Sequence, residues 1–150
     1  MVTTLSDRLE AVEPRELDQW ITLRGNFANS LDQFETEKKG HVAFLGGSIT
    51  ENVKGHTAMV PEWLKERFPE TEFTFTNAGL SSTCSNTGAF RIQRDILSKG
   101  EVDLLIVEFA VNDDQDAMHA RDAAIRGMEG VVRSVLSQNP RADILMVHYV

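Results

Sequence analysis

A chain of 150 residues has the length of one domain and can bury a real core, and 41% hydrophobic with 25% charged residues is globular rather than disordered composition. The net charge of −8 argues against a nucleic-acid or anionic-membrane partner, both of which need a basic face. The single cysteine, Cys84, leaves neither an internal disulfide nor a multi-cysteine metal cage.

No apolar run approaches the roughly 20 residues that span a bilayer. The start, Met1 to Arg8, lacks a basic segment followed by an apolar one, so no secretory leader is read there and a cytoplasmic location is expected. In chain order, Pro14 suits a first helical position, with Leu17, Trp20 and Ile21 at helical spacing behind it. A second short amphipathic stretch carries Phe27, Leu31 and Phe34, with Asn26 as its cap. Residues 1–40 are thus expected as a helical N-terminal extension, closed by the charged run Glu35 to Gly40.

The pattern changes at His41. His41 to Leu45 is a short apolar strand that ends in Gly46-Gly47. Val60, Leu64 and Phe68 form one row of a following helix, with Trp63 beside them and Pro61 near its start. Glu72 to Thr76 reads as the second strand, and Ala89, Ile92 and Ile96 mark a helix closed by Gly100. Val102 to Phe109 contains Leu104-Leu105-Ile106-Val107, a run that needs burial on both faces. A long helix carries Ala124, Met128, Val131, Val135 and Leu136 until Asn139-Pro140 stops it, and Ile144 to Val150 is a fourth strand.

This alternation predicts an α/β domain over 41–150: a flavodoxin-like parallel sheet in the order 2-1-3-4, a fifth strand missing, and helices on both faces. A chain that ends within its fourth strand leaves an apolar edge, so the expectation is the N-terminal part of a longer product, or completion by another chain. A homodimer would serve the same end.

Ligands of open α/β sheets bind outside the carboxyl ends of the strands. At the first such end stand Gly46-Gly47-Ser48-Ile49-Thr50, where two glycines permit a tight turn and a serine sits at a helix N-terminus. Asn77-Ala78-Gly79 follows strand two and offers a backbone N–H; Ala110-Val111-Asn112-Asp113 follows strand three and offers a side-chain amide. Alone, Gly-Gly-Ser would read as a helix cap. A hydroxyl, an N–H and a carboxamide at one sheet edge are the parts of an acyl-transfer site.

At these three ordered blocks the chain resembles the SGNH (GDSL-like) hydrolases, and Gly88 to Arg91 with Val107 to Asp113 look like a bacterial subgroup of them. The resemblance implies a serine ester hydrolase, often one removing a short acyl group such as acetate from a sugar. It implies Ser48 as nucleophile and an oxyanion hole of the Ser48 and Gly79 N–H groups with the Asn112 side chain. The block reads Gly-Gly-Ser where many members have Gly-Asp-Ser, Ala110 replaces a frequent glycine, and no Asp-x-x-His stands near the C-terminus, where the family carries its fourth block.

Of the four histidines, His41 opens strand one at the wrong end of the sheet, His56 and His119 read as solvated, and His148, on the correct edge, reads as an ordinary strand residue with a substitute base as the lesser alternative. Cys84 reads as a small buried side chain near the site, and Arg91 as facing the pocket or pairing with an acid. Asp113, Asp114 and Asp116 read as acids near the start of the long helix. A metal site from Asp114, Asp116 and His119 finds no recurring ligand spacing, so no metal and no cofactor are expected. The missing histidine favours an alternative, a non-catalytic module that binds a carbohydrate or ester on the same fold. A nucleotide-binding domain lacks Gly-x-Gly-x-x-Gly and Gly-Lys-[Ser/Thr], and a receiver fold lacks its acidic pair.

Overall fold

In a computed structural model that describes residues 26–149, four parallel strands pair in the order β2-β1-β3-β4: β1 (Lys39–Gly46), β2 (Glu72–Gly79), β3 (Leu104–Glu108) and β4 (Asp143–Met146). The expected fold class and strand order are therefore those observed. The Pro14, Leu17, Trp20 and Ile21 row lies outside the described residues.

Five helices accompany the sheet among these residues: α1 (Ala28–Asp32), α2 (Ser48–Glu51), α3 (His56–Arg67), α4 (Ser85–Asp95) and α5 (Arg121–Gln138). Short π-helical turns, Gln33–Glu37 and Val111–Asp116, link α1 to β1 and lead from β3 towards α5. The central strands are apolar because both of their faces are covered. On one side Val42, Phe44, Leu104 and Ile106 pack with Leu64 of α3 and with Phe68 just after it, and Phe34 inserts beneath them. Phe34 meets Phe73 edge-on at 4.9 Å between ring centroids and Phe68 at 5.7 Å, the geometry that ring quadrupoles favour. On the other side Ala43, Leu45, Leu105 and Val107 pack with Ile92 and Ile96 and with Val131 and Val135 of α5.

Element limits differ from those expected where pairing outruns composition. β2 extends past Thr76 because Asn77, Ala78 and Gly79 stay in register with Phe44, Leu45 and Gly46. β4 stops at Met146, since its pairing with β3 ends at Val107. Pro61 falls mid-helix, because α3 already begins at His56. Asn139 ends α5 and donates its Nδ2 to the Val102 carbonyl (2.9 Å), fastening the helix to the chain entering β3. Among the described residues no helix is long and apolar enough to cross a membrane.

Candidate active site

The register sets the site. Gly46 pairs with Gly79 on one side and Glu108 on the other, so the turns after β1, β2 and β3 leave the sheet side by side. Gly47 precedes α2, and Ser48 is its first residue, exposed, with the neighbouring Gly47 and Thr50 buried. The Asn112 carboxamide lies directly over Gly47: a Cβ there would stand 2.9 Å from Asn112 Cγ and Nδ2. Asn112 itself is 4% exposed. The Asn112 carboxamide thus lies against the residue that precedes Ser48. Among the described residues neither the Ser48 hydroxyl, nor the Ser48 N–H, nor the Asn112 amide makes a hydrogen bond.

Gly79 is differently placed. A Cβ on it would run into the Thr50–Glu51 backbone, so only glycine lets β2 close against α2. Its N–H donates to Asn77 Oδ1 at 2.8 Å and already has an acceptor. The Asn77 Nδ2 in turn donates to the Thr50 carbonyl (3.0 Å), and Glu51 Oε2 accepts from the Ser81 N–H (3.1 Å) and hydroxyl. These bonds hold the serine turn to the loop after β2.

Two functional-looking residues were not assigned from sequence. Glu108, last in β3 and 1% exposed, accepts from the Gly47 N–H (3.1 Å) and Thr50 Oγ1 (2.7 Å) through Oε1. Its Oε2 is buried with no hydrogen-bond partner among the described residues. A carboxylate inside Leu104 to Phe109 was the only signal. Arg91, left open by the sequence, points inward at 7% exposure: Nη1 donates to the Ala78 carbonyl (2.7 Å) and Nη2 to the Gly46 carbonyl (3.1 Å), with Asp95 Oδ2 3.1 Å from Nη1. It clamps the ends of β1 and β2.

The histidines separate. His41 is fixed at the far edge, Nδ1 by the Glu101 carbonyl (3.0 Å) and Nε2 by Thr76 Oγ1 (2.9 Å). His56 is half-buried rather than solvated, 5.7 Å from Phe44 between ring centroids. Burial lowers its pKa from the ordinary 6.5, and the Glu108 charge opposes that shift. His148 lies beyond β4, exposed, on a groove lined by Phe109, His119 and Met128.

Asp113 does not cap the long helix. It lies in the π-helical turn after β3, 5% exposed, and accepts the Ser85 N–H at the start of α4 (2.9 Å). Asp114 and Asp116 are exposed, and the side chains whose ligand atoms lie within 4.8 Å of one another are instead Cys84, Asp113 and His119. Burial, then Asp113 and Asp116, raise the Cys84 pKa, as expected of a thiol among carboxylates.

Residues 44–150 match the model of the GDSL-like lipase/acylhydrolase family. The chain belongs to this family. A two-domain esterase active on acetylated mannans is 35% identical, with a TM-score of 0.71 over 83% of this chain and 34% of that one. The same esterase co-crystallized with mannopentaose gives 0.68 over 79% and 33%. The chain therefore spans about a third of the length of these relatives. An acetyl xylan esterase, AlAXEase, at 22% identity and a TM-score of 0.58 over 71% of this chain and 56% of that one, shares the fold. No match was found among curated protein sequences.

Proposed function

We propose that this GDSL-family chain provides the nucleophile and oxyanion-binding half of an ester hydrolase, with Ser48 as nucleophile and a short acyl ester, such as acetate on a carbohydrate, as substrate. The observation that carries the reading is the placement of the exposed Ser48 beside the buried Asn112 carboxamide, both without internal partners among the described residues. The acetyl-sugar substrate class is supported by the 35% identical esterase active on acetylated mannans.

In this mechanism Ser48 Oγ attacks the ester carbonyl and a general base takes its proton. The carbonyl oxygen becomes an oxyanion that the Ser48 N–H and the Asn112 Nδ2 would stabilise as hydrogen-bond donors. The tetrahedral intermediate collapses, expels the alcohol with a proton, and leaves an acyl-serine that water hydrolyses by the same steps in reverse order. The Gly79 N–H can join only after leaving Asn77 Oδ1.

The test is hydrolysis of p-nitrophenyl acetate and of acetylated mannan by the chain at whatever length its gene encodes. Ser48→Ala is expected to abolish turnover and labelling by a fluorophosphonate, and Asn112→Ala to lower kcat by about 10²–10³. Turnover surviving Ser48→Ala would refute the nucleophile. Binding of acetylated mannan without turnover would instead identify a binding module on a hydrolase scaffold.

A further inference from the structure

Behind Asn112 lies a second group of side chains that the ester chemistry does not use. Cys84 ends the loop before α4, Asp113 follows Asn112 in the π-helical turn, and His119 follows that turn. One donor atom from each, a sulfur, a carboxylate oxygen and an imidazole nitrogen, lies within 4.8 Å of the other two. They come from positions 84, 113 and 119 and so are brought together only by the fold.

We infer that Cys84, Asp113 and His119 form a binding site for a borderline-soft divalent cation of the zinc class, seated directly behind the Asn112 segment.

Three features support this. The donor set mixes thiolate, carboxylate and imidazole, which zinc accepts together and which calcium or magnesium, bound by oxygens, do not favour. Next, His119 Nδ1 is buried with no hydrogen-bond partner among the described residues; it stands 3.5 Å from Asp113 Oδ1 without making that bond. A buried imidazole nitrogen left unpaired costs about 1–3 kcal/mol, and a cation at this point would satisfy it. Finally, Asp113 is anchored independently by the Ser85 N–H, so it is a fixed ligand rather than a waving surface acid.

Zinc bonds of about 2.0–2.3 Å put tetrahedral donors roughly 3.3–3.8 Å apart, so the group must contract by about 1 Å. Cys84 and His119 both lie outside regular helix and strand, where such a shift costs little. Binding displaces the Cys84 thiol proton to solvent and takes His119 through its neutral nitrogen. Three protein ligands leave the fourth position to water. The Cys84 sulfur also lies 3.5 Å from the Asn112 carbonyl, so an occupied site would brace the segment that carries the amide.

The site does not depend on the esterase reading, and its test reads metal rather than turnover. Reduced protein in metal-free buffer is titrated with Zn²⁺ by calorimetry and with Co²⁺ by absorbance. One site per chain and a thiolate-to-cobalt charge-transfer band are expected. Cys84→Ala and Asp113→Asn should each weaken Zn²⁺ by more than about a hundredfold, the upper end of what loss of mere outer-sphere support costs. Asp113→Asn keeps an acceptor for the Ser85 N–H, so its thermal unfolding without metal should match the parent and separates ligand loss from misfolding. His148→Ala, in the same groove but outside the group, should bind as the parent does. Absence of a one-to-one site, undiminished affinity in Asp113→Asn, or loss in His148→Ala would each overturn the inference.

Discussion

The Asn112 carboxamide fills the space that a side chain on Gly47 would need, its Cγ and Nδ2 lying 2.9 Å from the position of a Cβ there. Gly47 has φ −85°, outside the left-handed region, so crowding rather than backbone strain sets the cost of adding a methyl group. Gly47→Ala should push the amide away from Ser48. The expected result is a fall in kcat of about 10²–10³, close to that of Asn112→Ala. The loss of stability should be only about 1–3 kcal/mol, the usual cost of overpacking. Parallel kinetics and urea unfolding check both; an alanine variant with parental kcat would show that the carboxamide has no part in turnover.

Glu108 is expected to hold the serine turn. Glu108→Ala leaves the Gly47 N–H and the Thr50 hydroxyl buried without their acceptor. A loss of about 2–4 kcal/mol follows, because stranded buried donors forfeit their full desolvation. Glu108→Gln keeps a carbonyl oxygen for both donors and should lose distinctly less. Equal losses in the two variants, measured by denaturant midpoints, would mean that the charge rather than the acceptor matters.

His56 gives stability a pH dependence of known sign. Its folded pKa lies below the ordinary 6.5, chiefly through burial and against the pull of Glu108. The unfolded chain therefore binds the proton more readily. The His56 contribution is complete above about pH 6.5 and is lost as pH falls through the lower folded value. His56→Gln should flatten that part of the profile. Identical slopes for both proteins from about pH 8 to 5 would count against the assignment.

Arg91 should prove structural rather than substrate-binding. Its guanidinium spans the Ala78 and Gly46 carbonyls, which one ammonium cannot do, so Arg91→Lys should recover little. Arg91→Ala should cost about 2–4 kcal/mol, while Asp95 keeps Arg94 as a partner (2.6 Å). Full stability in Arg91→Lys would show that charge alone suffices there.

Much of this was legible in the residues. Leu104 to Val107 reads as a strand covered on both faces, and such runs alternating with helical rows point to a parallel sheet, in the order that the structure has. The serine, Gly79 and asparagine blocks were visible because each stands at or just past the carboxyl end of a strand, and those ends share an edge. Glu108 was not legible: its role is set by pairing opposite Gly46, a relation between residues sixty-two positions apart in number. The Asp113 and His119 environments escaped for the same reason. Carboxylates ahead of a helix suggest capping, and nothing local records that the chain first makes a π-helical turn and aims one of them at Ser85.

The bond from the Gly79 N–H to Asn77 Oδ1 has a further consequence under the proposed chemistry. The resting chain carries its own stand-in for a substrate oxygen. An incoming carbonyl gains at that position only the difference between two hydrogen bonds. A neutral ester oxygen competes with the Asn77 amide on nearly equal terms, but an oxyanion outcompetes it, since a charged acceptor makes the stronger bond. The third donor would then gain little from bound ester and respond to the charge that develops during attack, so a side chain at the end of β2 sharpens the contrast between ground and transition states.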